Sequence, residues 1–496
     1  MSFSLESIPL HTSFLQLGEN FLSEVKPTPF KSESELIHFN QNAAKLLDLK
    51  EGIEQEKLFI DIFSGKTPIQ NAKPFAMLYA GHQFGHLNPQ LGDGRAIIIA
   101  ETINKHNKKW ELQLKGSGVT PYSRDGDGRA VLRSTIREYL CSEAMHRLGI
   151  PTTRALCISG SNDEVYRENI ETGAILTRLA PSHIRFGSFE VFYYRNQYDQ
   201  IRTLADHVLQ HHYPELLAEP NPYLVLLTEV INRTAKLIAS WQAVGFAHGV
   251  MNTDNMSILG LTLDYGPYGF LDEYQPGYIC NHSDYQGRYA FDQQPNIGLY
   301  NLSCFAQAIL PLLDKSPDKA ADMARKELEA YQNIYILDFA KQMRKKLGLE
   351  KNLSEDQQLV EDLLKLMKED YVDYTIFFRR LCEFDSENTN NNAAIRDIFR
   401  QRGQFDQWAN RYQQRLKKED VTDQQRMTKM KSVNPKYILR NYMAEVAIKK
   451  AEENDFSEIE HLFNLLQNPF DEQPENERYA GFPPEWAQEI SVSCSS

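Results

Sequence analysis

The stretch His248-Gly249-Val250-Met251-Asn252-Thr253-Asp254-Asn255 and the triplet Asp264-Tyr265-Gly266 hold the residue types richest in chemistry. Asn255 and Asp264 offer an amide and a carboxylate oxygen, the hard donors that a divalent cation takes beside nucleotide phosphates. Asp254 is a carboxylate next to that amide, placed to accept a proton. Upstream, Gly92-Asp93-Gly94-Arg95 opens a β-type run, and a Gly-x-Gly turn lets backbone N–H groups approach a phosphate. Lys115 closes the next β-type run, 21 residues after Gly94, and Glu138 follows 23 residues later. Arg178 and Arg185 flank a short segment, and guanidinium forks suit phosphates. Taken singly, each has a plain alternative: a hairpin turn, a solvated lysine, a surface glutamate, an ion-paired arginine. Asp125-Gly126-Asp127-Gly128 begins like a calcium loop but has Ile136 where the twelfth-position glutamate belongs. It reads as a glycine loop near a nucleotide or as a structural turn.

In order and spacing these residues follow the catalytic pattern of protein kinases. There a strand lysine pairs with a helix glutamate, and His-Arg-Asp-x-x-x-x-Asn precedes Asp-Phe-Gly. His248 to Asn255 keeps the seven-residue interval, and Asp264-Tyr265-Gly266 stands for the final triplet. The base aspartate of the pattern falls on Val250, which cannot accept a proton. A plain kinase reading fails there, and Asp254 is the nearest carboxylate that could replace the base.

These side chains need elements to hold them. Residues 95–101, 110–115, 155–159 and 173–179 read as strands bounded by turn residues. A helix over 131–148 carries Leu132, Ile136, Leu140, Ala144 and Leu148 on one stripe, and Gly149 with Pro151 stops it. A long amphipathic helix over 223–247 leads into the His248–Asn255 loop. Two short strands are expected after it, near 256–259 and 261–263. Beyond 300 the pattern is helical, over 301–313, 318–347, 354–383, 392–416 and 435–451, with a polar loop at 385–392. The last thirty or so residues read as an extended tail. The fold class is α+β: a kinase-like, two-lobed arrangement with a strand-rich N-lobe, a large helical C-lobe and a C-terminal helical extension. The expected divisions are an N-terminal extension (1–74) packing on the lobes, the N-lobe (75–200), the catalytic part of the C-lobe (201–315), the helical extension (316–480) and a tail (481–496). A cleft between lobes is where ligands usually bind.

Composition sets the outer limits. A 42% hydrophobic share with 11% aromatics covers a sizeable core and argues against global disorder. With 54 basic against 67 acidic residues the net charge is −13, which disfavours a general nucleic-acid or anionic-membrane binder. No run approaches the ~18 uninterrupted apolar residues of a membrane span. The start, MSFSLESIPLHTSF, reads neither as a signal peptide nor as a transit peptide, so a cytoplasmic location is expected. Six cysteines without a CxxC pair make neither a disulfide framework nor a zinc knuckle, and suit a reducing compartment. Cys494, third from the end, stands apart from any core.

Longer stretches carry a family likeness: YAGHQFGHLNPQLGDGRA (79–96), LQLKGSGVTPYSRDGDGRAVLRSTIREYLCSEAMHRLGIPTTRAL (112–156), LTRLAPSHIRFGSFE (176–190), FAHGVMNTDNMSILGLTLDYGPYGFLD (246–272), CNHSDYQGRYAFDQQP (280–295) and VNPKYILRNYMAE (433–445). Through them the sequence resembles the selenoprotein O family of pseudokinase-like proteins, also called the YdiU family, over nearly its whole length.

That resemblance implies an ATP-using protein adenylyltransferase. ATP binds flipped relative to ordinary kinases, AMP passes to a protein Ser, Thr or Tyr hydroxyl, and pyrophosphate leaves. It implies nucleotide contacts at Gly92, Gly94, Arg95, Lys115, Asp127, Gly128, Arg178 and Arg185, with Glu138 as the partner of Lys115. It implies Asp254 as proton acceptor, and Asn255 and Asp264 as ligands of Mg²⁺ or Mn²⁺ at the nucleotide. UTP with Mn²⁺ is the live alternative co-substrate. A true kinase and a non-catalytic ATP-binding scaffold are the competing classes. Protein substrates are the expected partners, with no nucleic acid and no membrane, and a monomer is expected. The likeness also implies a redox-sensitive pairing of Cys280 with Cys494, against the alternative of an inert terminal thiol.

Overall fold

The computed structural model describes residues 2–493 of the chain. Among the described residues thirteen strands run in chain order: β1 Leu10–His11, β2 Leu22–Glu24, β3 Glu35–Phe39, β4 Phe75–Met77, β5 Gly81–Gln83, β6 His86–Asn88, β7 Ala96–Ile103, β8 Lys109–Lys115, β9 Ala130–Val131, β10 Arg154–Tyr166, β11 Ile170–Ala180, β12 Phe246–Ala247 and β13 Gly269–Phe270. Nine of them form one antiparallel sheet, ordered β2-β4-β7-β8-β11-β10-β3, with β1 on β7 and β9 on β11. The first 74 residues thus contribute three strands to the same sheet.

The run Ala96-Ile97-Ile98-Ile99 is apolar without alternation because the sheet is buried on both faces. Ile98 packs with Ile136, Tyr139 and Leu140 of the helix Leu132–Arg147. Ile97 and Ile99 pack the other way, with Leu47, Ile53, Phe59 and Phe63 of the N-terminal segment. The helix therefore stacks on the sheet beside Lys115, which ends β8.

Past residue 180 the chain is mostly helical. Gly187–Tyr194, inside the stretch read as strand-rich, is a helix, and Tyr198–His212 is a further helix. Pro222–Val244 follows the expected course, with Gly245 in the left-handed region as its stop. The two short strands expected at 256–259 and 261–263 are absent. Only isolated bridges occur there, and β12 and β13 frame the segment as a two-stranded ribbon instead. The expected 354–383 helix is two, Asp356–Asp370 and Tyr374–Leu381, broken where Tyr371 turns left-handed and Asp373 caps the second. Within 392–416 the chain makes Ala393–Arg396 and then Arg402–Leu416. The helix within 435–451 starts only at Asn441, and Asp423–Lys431 and Ser457–Leu466 are further helices. The tail, expected as extended, contains two 3₁₀ turns, Pro474–Ala480 and Glu485–Glu489. Among the described residues one helical stretch, Phe291–Leu313, is long and apolar enough to cross a membrane; 61% of that window is buried inside the protein.

Candidate active site

The strand-rich and helical regions face each other across a cleft of about 740 Å³. All the candidate nucleotide, metal and base residues line it. Gly92, Gly94 and Arg95 approach from the turn before β7, and Asp127 and Gly128 from the glycine loop. Lys115, Glu138, Arg178 and Arg185 form the sheet side, with Asp254, Asn255 and Asp264 opposite. Cys280 lies elsewhere, buried with its sulfur 3.5 Å from the Ala247 carbonyl. Its expected partner, Cys494, lies outside the described residues.

The register of the sheet sets the sheet-side pairs. β8 and β11 are adjacent, with Lys115 opposite Leu176 and Gln113 opposite Arg178. Glu138 lies on the helix packed over them. It accepts from Lys115 Nζ at 2.6 Å through one oxygen and from Arg178 at 2.9 Å through the other. The lysine–glutamate pair expected from spacing is therefore part of a larger cluster. Asp264 receives Lys115 at 3.1 Å and also bonds Arg178 and Arg185.

Asp264 is buried, yet its carboxyl is held well below the usual carboxylate range: Arg185, Arg178 and Lys115 together outweigh the burial that pushes it up. Burial in turn lowers the Lys115 ammonium, against the pull of Glu138 and Asp264. Arg185 is raised despite burial because Asp264, Tyr79 and Asp93 face it. Asp264 itself has φ of 54°, a strained value for a non-glycine residue. The three cations secure it there.

The loop opposite is built around buried polar contacts. His248 stacks on Trp241 and bonds the Leu263 carbonyl at 2.8 Å, which fixes the chain just before Asp264. Asn255 donates its amide to the Val250 carbonyl at 2.9 Å. Its side-chain oxygen is thereby the atom suited to a cation. With the ionised Asp264 it makes a hard oxygen donor pair, and this donor set fits Mg²⁺ or Mn²⁺.

Asp254 differs from Asp264. Burial is the main influence on it, and lifts its carboxyl to about 6 against the opposing pull of Arg185. Arg185 bonds the Asp254 backbone carbonyl at 2.6 Å, not its carboxylate. One carboxylate oxygen accepts from Gln83 Nε2 at 3.0 Å, while Oδ1 is buried without a hydrogen-bond partner. Gly81 is required beside it, because a Cβ there would come within 2.3 Å of Oδ1. A buried carboxyl raised by burial and lying in a cleft beside charged partners is a candidate functional group.

Gly128 shows the other demanding backbone position. Its φ is +67°, and a Cβ would lie 2.1 Å from the Gly118 carbonyl oxygen. Two loops are thus pressed together at the cleft mouth. Asp127 is tied there to Arg167 at 2.8 Å.

Two contributors were not assigned from sequence. Asp93, the middle residue of Gly92-Asp93-Gly94, is fully buried and accepts from the Met77 amide and the Tyr79 hydroxyl. Its carboxylate lies 4.0 Å from Arg185. Gln83 reaches Asp254 from the small β5–β6 hairpin. An acid between two turn glycines was a readable signal for Asp93; nothing local marked Gln83.

Fold and cleft together define a bilobed enzyme of kinase-like architecture. The model of the family described as protein adenylyltransferase SelO matches residues 5–467. The chain is 52% identical to the protein nucleotidyltransferase YdiU of Myxococcus xanthus, over 99% of this chain and 100% of that one. It is 54% identical to its counterpart in Thioalkalivibrio sulfidiphilus, over 99% of both chains. The counterpart in Aliivibrio fischeri is 51% identical over the full length of both. The chain belongs to the SelO family and is a nucleotidyltransferase.

Proposed function

We propose that the chain transfers AMP from ATP to Ser, Thr or Tyr hydroxyls of proteins. The observation that carries this reading is Asp254: a buried carboxyl near neutrality, in the same cleft as the Lys115–Arg178–Arg185 cluster. The acceptor hydroxyl loses its proton to Asp254 while its oxygen attacks the α-phosphorus. The bond from that phosphorus to the bridging oxygen of the β-phosphate breaks, and pyrophosphate leaves. Lys115, Arg178 and Arg185 place positive charge where it builds up on the phosphate oxygens, the main need of such a transfer. Asn255 and Asp264 would hold the Mg²⁺ or Mn²⁺. The ion, when bound, neutralises phosphate charge.

Three cations now share Asp264. A triphosphate entering the cleft offers them other anionic partners and frees that carboxylate for the ion. The gain is local charge rearrangement without new backbone.

The second reading, UMP transfer from UTP with Mn²⁺, uses the same residues, since these phosphate-facing side chains are blind to the base. A kinase reading is disfavoured by Val250 in the place of the kinase base.

The test uses ATP labelled at either the α or the γ phosphate, a divalent ion and a cell lysate. Protein label from the α position only is expected, and it should vanish in Asp264→Ala. Label from γ only overturns the reading in favour of a kinase; no label from either, in favour of a scaffold. Replacing ATP by α-labelled UTP separates the two nucleotidyl transfers.

A further inference from the structure

Beside the nucleotide cleft, His82, Glu190 and Cys304 bring one nitrogen, one carboxylate and one sulfur ligand atom within 4.8 Å of one another. They come from three elements: β5, the helix Gly187–Tyr194 and the helix Gln294–Leu313. Glu190 is fully buried and Cys304 nearly so. We propose that these three residues form a second metal site, of Zn²⁺ type, separate from the oxygen-lined nucleotide site.

The donor set decides the class of ion. Imidazole, thiolate and carboxylate together suit a tetrahedral Zn²⁺, whereas Mg²⁺ takes oxygen ligands. Asn255 and Asp264 have no nitrogen or sulfur donor between them, so the two sites select different ions.

An independent observation comes from Glu190. One of its oxygens bonds His82 Nδ1 at 2.5 Å. The other, Oε2, is buried with no hydrogen-bond partner. A buried carboxylate oxygen left without a partner is costly, and an ion among the three ligands would satisfy it.

The ligands bind in their deprotonated forms, any protons they carry pass to solvent, and their lone pairs pass to the metal. Ligand distances of about 2.0–2.3 Å around a tetrahedral ion require ligand atoms about 3.3–3.8 Å apart. Rotation of the Glu190 carboxyl and the Cys304 side chain supplies the adjustment. The rings of Tyr194 and Tyr300 border His82, at 5.9 and 6.1 Å between centroids.

The consequence reaches Asp254. His82 precedes Gln83, and its own amide donates to Thr253 Oγ1 at 2.7 Å. An ion at His82 pins the hairpin that carries Gln83 onto both helices.

The full-length protein is incubated with Zn²⁺, desalted into buffer containing Mg²⁺, and its metal content measured. One zinc per chain is expected for the wild type and for Asp264→Asn. Cys304→Ala and Glu190→Gln should lose at least about 100-fold in zinc affinity, beyond the effect of disturbing an outer partner. Loading the wild type with Co²⁺ reports on the sulfur without any variant, through a thiolate-to-metal absorption band. The proposal is overturned if the wild type retains no zinc or if Cys304→Ala retains as much as wild type. Loss of zinc in Asp264→Asn, or a Co²⁺ protein without the thiolate band, overturns it equally. Nucleotide transfer is not part of the readout, so failure here leaves the adenylyltransferase reading standing, and the reverse.

Discussion

Gln83 Nε2 donates to Asp254 Oδ2 at 3.0 Å, joining residues 171 positions apart. This bond, with Gly81 on the other side of the carboxyl, fixes the direction in which Asp254 points. Gln83 is a positioning residue, since it acts on the reaction only through Asp254.

Gln83→Ala should lower kcat by about 10-fold while leaving the KM for nucleotide nearly unchanged, the pattern of an interaction that matters at the transition state. Gln83→Glu should do worse, by placing a second carboxylate against the first. Steady-state kinetics at varied nucleotide concentration reads both. A rise in KM with constant kcat would assign Gln83 to nucleotide binding instead.

The pH profile follows from Asp254. A base must be ionised to accept a proton, and this carboxyl keeps its proton up to about 6. The transfer rate should therefore climb as pH rises through about 6 and then level off. The same group weakens the fold. Unfolded, it releases its proton near 3.8, so between that pH and about 6 the native state binds the extra proton, and stability falls as pH rises. The full penalty, at most about 3 kcal/mol, is present above 6. Asp254→Asn should abolish transfer and leave thermal stability equal or higher at pH 7.5, by calorimetry. A marked loss of stability would show that the carboxylate is a structural counter-ion.

The larger part of this cluster was legible because kinase-type spacing is a long-range code written in short motifs. Lys115, Glu138, Asn255 and Asp264 each stand at a recognisable interval, and the sheet and its packed helix show the periodicity of their class. Gln83 and the His82–Glu190–Cys304 group were not legible. Their contacts join irregular segments and helix faces far apart in the chain, and no local period encodes such a meeting. The helix Gly187–Tyr194 was missed because aromatic residues such as Phe189, Phe192 and Tyr193 favour strands in propensity, while packing against Phe305 and its neighbours decides the outcome. The short strands expected near 256–263 failed for the opposite reason: Ser257, Gly260 and Thr262 form turn and bridge contacts that no partner strand extends.

Asp264 is the anion on which three buried cations converge. Asp264→Ala should remove metal-dependent transfer altogether. Without nucleotide it should also destabilise the protein by about 3 kcal/mol, since Lys115, Arg178 and Arg185 then share fewer anions. ATP should recover part of that loss by occupying the vacated charge. Thermal melts with and without ATP measure this; a variant as stable as wild type without nucleotide would show that the cations find other partners.

The tail reaches the Cys280 segment, where the His282 amide donates to the Val492 carbonyl at 2.8 Å. If Cys280 and Cys494 pair under oxidising conditions, alkylation after unfolding should count two fewer thiols without reductant than with it. Cys494→Ser should remove the difference, and activity should rise on reduction in wild type only. Equal counts would leave Cys494 an inert terminal thiol.

The most direct test is a crystal structure with a non-hydrolysable ATP analogue and Mn²⁺. The ion is expected between the Asn255 side-chain oxygen and Asp264, the phosphates on Lys115, Arg178 and Arg185, and the α-phosphorus as the phosphorus atom nearest Asp254. A γ-phosphate nearest Asp254, or a nucleotide bound away from Lys115, would contradict the assignment of AMP transfer to this cleft.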